Sequence, residues 1–157
     1  MNSACLKNLL AASVSGVRSV GAVAASPVAR LALALPFLRS GLTRWDGFLS
    51  LSPATAYLFE EQFRLHLFGH EYAFPEPGLI AHLVGVAEIV LPTLLIAGLA
   101  TRFTALALLL MTAVIQLVFP EGWANFHLYW VALALCIMAL GPGKLSLDHL
   151  AQARGIY

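Results

Sequence analysis

Residues 79–100 form an almost unbroken apolar run, and a single carboxylate, Glu88, sits near its middle. The run is long enough to cross a bilayer, because a spanning helix needs about 20 residues. Three weaker or shorter runs accompany it, at 27–42, 103–119 and 124–140. A backbone in lipid must satisfy its own hydrogen bonds, so such runs become helices rather than open sheet. Composition agrees: 60% of residues are hydrophobic and 11% charged, against about 25% charged in a soluble domain. The net charge of +1 supplies no basic field, which excludes nucleic acid as a partner.

The sequence therefore predicts an all-α protein, a four-helix transmembrane bundle occupying 27–150. Only Ala100-Thr101-Arg102 separates the second and third runs, so those helices should be antiparallel neighbours. Pro120 and Gly122 mark a similar turn before the fourth, and Gly141-Pro142-Gly143 ends it. The first 26 residues read best as a separate amphipathic interfacial helix. Leu6, Leu9, Leu10, Val14 and Val17 share one face, and Lys7 and Arg18 lie on another. A cleavable signal peptide is the competing reading, but Arg18 and scattered Ser and Gly interrupt its apolar stretch. Residues 151–157 form a tail. Lys7, Arg18, Arg30, Arg102, Lys144 and Arg154 gather on one side if both termini are cytoplasmic. The long loop 43–78 then lies outside and carries most of the acids. Within it, residues 53–70 read as a short helix lying on the membrane surface or capping the bundle, with Ser52 as cap, Pro53 in the first turn and Phe59, Phe63 and Leu67 on one face.

A carboxylate at membrane depth costs about 2.5–3.5 kcal/mol on insertion scales, so Glu88 needs a partner, a proton or a use. Arg39 is the partner that depth suggests. It lies about 9 Å below the outer end of its helix and Glu88 about 15 Å, a gap an arginine side chain spans. The pair is either a structural lock on helix register or part of a ligand- or proton-handling site; the alternative is an Arg39 that snorkels outward over a protonated Glu88. His82, Gln116, His127 and Trp130 lie in the same outer half, while the inner halves of the last three helices are almost wholly apolar. Together these residues predict a polar pocket open to the outer face, over an apolar floor. His82 and His127 could relay protons or bond a quinone carbonyl. Trp45, Trp123 and Tyr129 read as an interfacial aromatic belt.

His66 and His70 stand four residues apart in the expected loop helix, a spacing that can hold a transition metal on one helical face. Two histidines do not close a site, so metal is not the expected cofactor. Cys5 and Cys136 form no metal or redox spacing. No nucleophile elbow, phosphate loop, dinucleotide fingerprint or zinc-protease motif is present.

Several ordered landmarks resemble the DoxX/DoxD-like family of small four-helix bacterial membrane proteins. They are Arg30, Ser40-Gly41-Leu42 and Trp45; then Gly85-Val86-Ala87-Glu88-Ile89 and Gly98-Leu99-Ala100-Thr101-Arg102; then His127, Trp130 and Gly141-Pro142-Gly143-Lys144-Leu145-Ser146-Leu147-Asp148. The resemblance implies a multi-pass protein of the bacterial cytoplasmic membrane. Some relatives are membrane subunits of thiosulfate:quinone oxidoreductases, and others accompany detoxifying or sulfur-handling partners. It implies an accessory subunit of a redox or stress-response system that contacts quinone, not a self-contained enzyme. The partners expected are the lipid bilayer and either a partner protein or further copies of the chain. The alternative is a non-enzymatic role: a metal-handling or transporter-like helper, or a scaffold for a partner.

Overall fold

A computed structural model describes residues 3–155, with side-chain environments from residue 21 onward except at residue 22. The first helix, α1, runs Ser3–Leu42 without a break. The facial pattern expected of residues 1–26 lies outside the described side chains, but no turn separates that segment from the first span. Three more long helices follow: α3 (Pro77–Ala97), α4 (Thr101–Val118) and α5 (Leu128–Leu140), the last continuing a helical lead-in from Pro120. Among the described residues, four segments are long and apolar enough to span a membrane: Val23–Leu42, Pro77–Ala97, Thr101–Val118 and Pro120–Leu140. They pack as a ring in which α1 touches α3 and α5, while α4 touches α3 and α5. Every neighbour in the ring is antiparallel.

Residues 43–76 connect α1 to α3 and define one end of the bundle, the loop end. The α3–α4 turn and a short C-terminal helix, α6 (Leu147–Ala153), define the other, the turn end. The distribution of polarity is that of a lipid-solvated protein. Leu33, Ala34, Phe37, Leu95, Leu108 and Ile137 form the core. Many other large apolar side chains, such as Leu31, Leu83, Phe103, Leu110 and Leu135, face outward. Arg30, Glu88, Thr112, His127 and Asp148 are buried. Hydrocarbon solvates the outward face at little cost, whereas polar groups gain by meeting one another inside.

The loop departs from the expected helix over 53–70. Ser52 does cap helix α2 (Pro53–Tyr57), its hydroxyl accepting the Thr55 N–H. The helix widens into one π-type turn, Leu58–Gln62, and stops there. The chain then forms a hairpin of β3 (Arg64–Leu67) and β4 (His70–Ala73). Phe68 and Gly69 adopt φ of 52° and 80° at its tip, the left-handed pair that a two-residue hairpin turn requires. A second small hairpin, β1 (Trp45–Gly47) with β2 (Ser50–Leu51), precedes α2.

The turn end is tied shut by a polar cluster that the sequence did not disclose. Gly98 ends α3 at φ 71°, in a capping turn where the Leu99 N–H reaches the Leu94 carbonyl. A side chain at Gly98 would collide with the Arg30 guanidinium. The Asp148 carboxylate accepts the Ala100 and Thr101 N–H groups at 2.7 and 2.8 Å, capping α4 from 47 residues away. Arg30 donates to the Leu145 carbonyl, and the Ser26 hydroxyl donates to Pro142 at 2.8 Å. The C-terminal segment thus bolts α1 to the α3–α4 turn.

Burial raises the Asp148 pKa, but the Thr101 and Ala100 amides and the Arg30 charge outweigh it and hold the carboxyl below its ordinary value. A lowered pKa stabilises the fold fully above the unfolded carboxylate value of about 3.9 and is lost as pH falls through the folded value. Asp148→Asn should therefore cost about 1.5–3 kcal/mol at neutral pH, with the difference from wild type shrinking below about pH 4. Thermal unfolding in detergent across this range measures it. A pH-independent difference would contradict the assignment.

Candidate functional site

The loop-end half of the bundle encloses a cavity of about 640 Å³. Its polar anchor is built from α1, the turn after it, and α3. After Leu42 the chain turns back, with Arg44 N–H donating to the Gly41 carbonyl. This aims the Arg44 side chain into the bundle. Its Nε donates to Glu88 Oε2, and its Nη2 donates to Oε1 at 2.8 Å. The Ser40 hydroxyl donates to the same Oε1 at 3.2 Å. A two-pronged arginine–carboxylate pair fixes geometry as well as charge. The expected partner, Arg39, is not the one used. Arg39 and Ser40 lie about 100° apart on a helix of 3.6 residues per turn, so Ser40 faces Glu88 while Arg39 points out between α1 and α5.

Glycines permit this anchor. A Cβ on Gly41 would lie 2.9 Å from the Glu88 backbone, so α1 and α3 touch closely there. A Cβ on Gly85 would lie 2.6 Å from the Trp45 ring, which rests on α3 one turn before Glu88. Trp45 thus packs on the bundle, with His82 edge-on at 5.9 Å. Trp123 and Tyr129 are exposed at the loop end.

His127 supplies a second polar group. Gln116 donates its Nε2 to the Pro120 carbonyl at 3.0 Å, which turns its Oε1 toward His127. His127 Nδ1–H donates to that oxygen at 2.6 Å. The imidazole is thereby held in one orientation with Nε2 left as an acceptor. Gly122 lies against the ring, where a Cβ would come within 2.6 Å of Cε1. Arg44 Nη1 takes no part in the bonds to Glu88, so the cavity presents one cationic donor and one nitrogen acceptor. The apolar and aromatic part of the wall includes Phe37, Val84, Ile115 and Trp130, and Thr43, Thr55, Glu121 and Asn125 add further polar groups toward the loop.

The loop roofs the cavity with aromatic rings. Phe59 meets Phe63 at 5.0 Å and Phe74 at 6.1 Å, and Phe63 meets Phe119 at 5.2 Å. The Arg44 guanidinium lies 5.2 Å from the Phe59 ring centre, so the same arginine holds both floor and roof.

Of the residues singled out in the sequence, Glu88, His127 and Trp130 line this cavity, and Gln116 stands behind His127. Arg39 and His82 do not line it. His82 instead donates from Nδ1 to the Gly78 carbonyl within its own helix, at 2.8 Å. Arg44 is the contributor that sequence reasoning missed, while Phe59 and Phe63, expected on one face of a loop helix, line the cavity from the π-type turn and just beyond it. His66 and His70 lie on opposite strands of the β3–β4 hairpin rather than one helical face. His66 donates from Nδ1 to Leu117 at 3.1 Å and approaches Glu71 at 3.5 Å. No cluster of three or more metal-ligating side chains occurs among the described residues. The helical spacing behind the metal reading is therefore corrected to a hairpin.

Removing one member of a buried ion pair strands the other charge at a cost of about 3–5 kcal/mol. Arg44→Ala should destabilise by that order, whereas Arg39→Ala should stay within about 0.5 kcal/mol. Unfolding free energies in mixed micelles compare the two, and the reverse order would contradict the pairing described.

Comparison with known proteins places this geometry in context. A protein of Haemophilus influenzae described only as uncharacterized is 28% identical over 151 residues, covering 87% of this chain and 89% of that protein. No solved structure matches the chain. The DoxX family model matches residues 26–121, which include most of the first span, the whole of the second and third, and the Arg44–Glu88 anchor. This four-helix membrane protein belongs to the DoxX family.

Proposed function

We propose that the protein is a membrane-embedded accessory subunit of a redox or stress-response system, and that its cavity holds the head of a quinone. The observation that carries this reading is the pairing of a donor with an acceptor in an aromatic chamber. Arg44 Nη1 is suited to a carbonyl oxygen, and His127 Nε2 is suited to a hydroxyl. Phe37 and Trp130 pack against each other with ring centres 5.1 Å apart, forming one aromatic wall against which a ligand ring can rest. The cavity volume of about 640 Å³ lies in the range of small-molecule sites, about 300–1,000 Å³.

A bound quinone would supply the capacity to carry electrons and protons. Arg44 would orient one oxygen and His127 the other, with Gln116 holding the imidazole. Electron transfer itself would belong to a partner protein, because this chain contributes positioning groups. The location that fits is the bacterial cytoplasmic membrane with both termini cytoplasmic. Arg30, Arg102, Lys144 and Arg154 then sit at or toward the cytoplasmic end, while Glu60, Glu61, Glu71 and Glu76 sit outside.

The test is titration of the purified protein in nanodiscs with a short-chain ubiquinone or menaquinone analogue, followed by tryptophan fluorescence. Saturable binding is expected, weakened about tenfold in His127→Ala through loss of one hydrogen bond and its ring contacts. Absence of saturable binding to the folded wild type would sink the quinone reading.

A further inference from the structure

The cavity's roof is aromatic and its floor is the packed core, yet one side wall is thin. A separate groove of about 580 Å³ lies on the outer surface between α1 and α5. Pro36, Phe126 and Trp130 line both the groove and the cavity, so these side chains are the partition between them. Ala32, Leu35 and Arg39 complete the groove. The wall stands on a helix irregularity. Pro36 has no N–H to give the Ala32 carbonyl, so α1 lacks a backbone bond where the groove lies. α1 stays helical through Pro36, so the missing bond frees one carbonyl without breaking the span. Arg39 stands exposed at the loop-end edge of the groove, and Ala32 lies seven residues below it, about 10 Å along the helix. The groove therefore runs through the hydrocarbon layer beneath the level where a cation meets headgroups.

We infer that the groove is a lateral entrance from the bilayer, with Trp130 and Phe126 as its movable wall, and that it holds the hydrocarbon tail of a ligand whose head occupies the cavity. The inference rests on the head-binding reading above and extends it to a class, an amphiphile with a long prenyl or acyl chain. A tailed ligand is already dissolved in the bilayer, so entry between α1 and α5 keeps its chain in hydrocarbon. Entry past Phe59, Phe63 and Phe74 would drag that chain through water.

Two probes with one head, a tailless benzoquinone and the same ring bearing a long prenyl chain, separate the two claims. Ala32→Phe fills the groove at a position outside the cavity lining, and Leu35→Trp does so independently should the first variant not fold. Binding is measured on the full chain in nanodiscs, with the thermal midpoint as the check on folding. The expected result is a loss of about tenfold for the tailed probe and less than about twofold for the tailless one. Equal changes for both probes, or none, overturn the lateral entrance while head binding stands. Should neither probe bind wild type, the head-binding reading fails by itself, and quenching of tryptophan fluorescence by phospholipid brominated along its chains decides the groove. Quenching reduced by Ala32→Phe supports a lipid chain against Trp130, and unchanged quenching overturns it.

Discussion

A carboxylate buried between membrane helices cannot stand alone, and the partner that Glu88 takes organises the loop end of this protein. Arg44 lies just past the end of α1, so reaching Glu88 forces the chain to fold back over the bundle. The reversal is held by the Arg44 N–H on Gly41 and by the Ser52 N–H donating to the Arg44 carbonyl at 2.8 Å. It draws the loop across the helix ends, and the guanidinium then carries Phe59. One side chain thus joins α1, α3 and the roof. Desolvating both charges is costly and a two-pronged geometry offsets it, which is why Gly41 and Gly85 matter: they allow α1 and Trp45 to approach α3 closely enough.

The two ends of the bundle treat polar groups differently. At the turn end, Arg30, Asp148 and Ser26 are engaged with backbone groups, and a residue larger than Gly98 would leave no room for Arg30. At the loop end, Arg44 Nη1 and His127 Nε2 have no hydrogen-bond partner among the described residues, and both side chains line a cavity. Arg30 Nε and Nη1 are also buried without a hydrogen-bond partner, so unused bonding capacity occurs at both ends, and at the loop end it lies beside a cavity. A small four-helix scaffold can hold a site this way because the rigid end fixes helix register while the roofed end retains space.

The spans were legible because hydropathy and length act directly on a chain in lipid. The short α3–α4 turn was legible for the same reason. Glu88 could be recognised from its cost alone, and His127, Gln116 and Trp130 from their depth. The partner of Glu88 could not, because Arg44 follows a chain reversal and helical periodicity no longer describes where its side chain goes. Arg39 had a suitable depth but the wrong azimuth. Asp148 stood in the sequence only as part of a family landmark; its role was hidden because it caps a helix nearly fifty positions earlier in the chain, a relation no local pattern encodes. His66 and His70 show the ambiguity of a four-residue spacing: it joins one helical face, but it also bridges a hairpin when a residue such as Gly69 takes a left-handed turn.

The central claim is that Arg44, not Arg39, satisfies Glu88 and thereby shapes the cavity. A double-mutant cycle with Arg44→Met and Glu88→Gln, read as unfolding free energy in mixed micelles, isolates that pair. The account predicts a coupling of about 1–3 kcal/mol, with none between Arg39→Met and Glu88→Gln. Zero coupling for Arg44, or a larger coupling for Arg39, would contradict it.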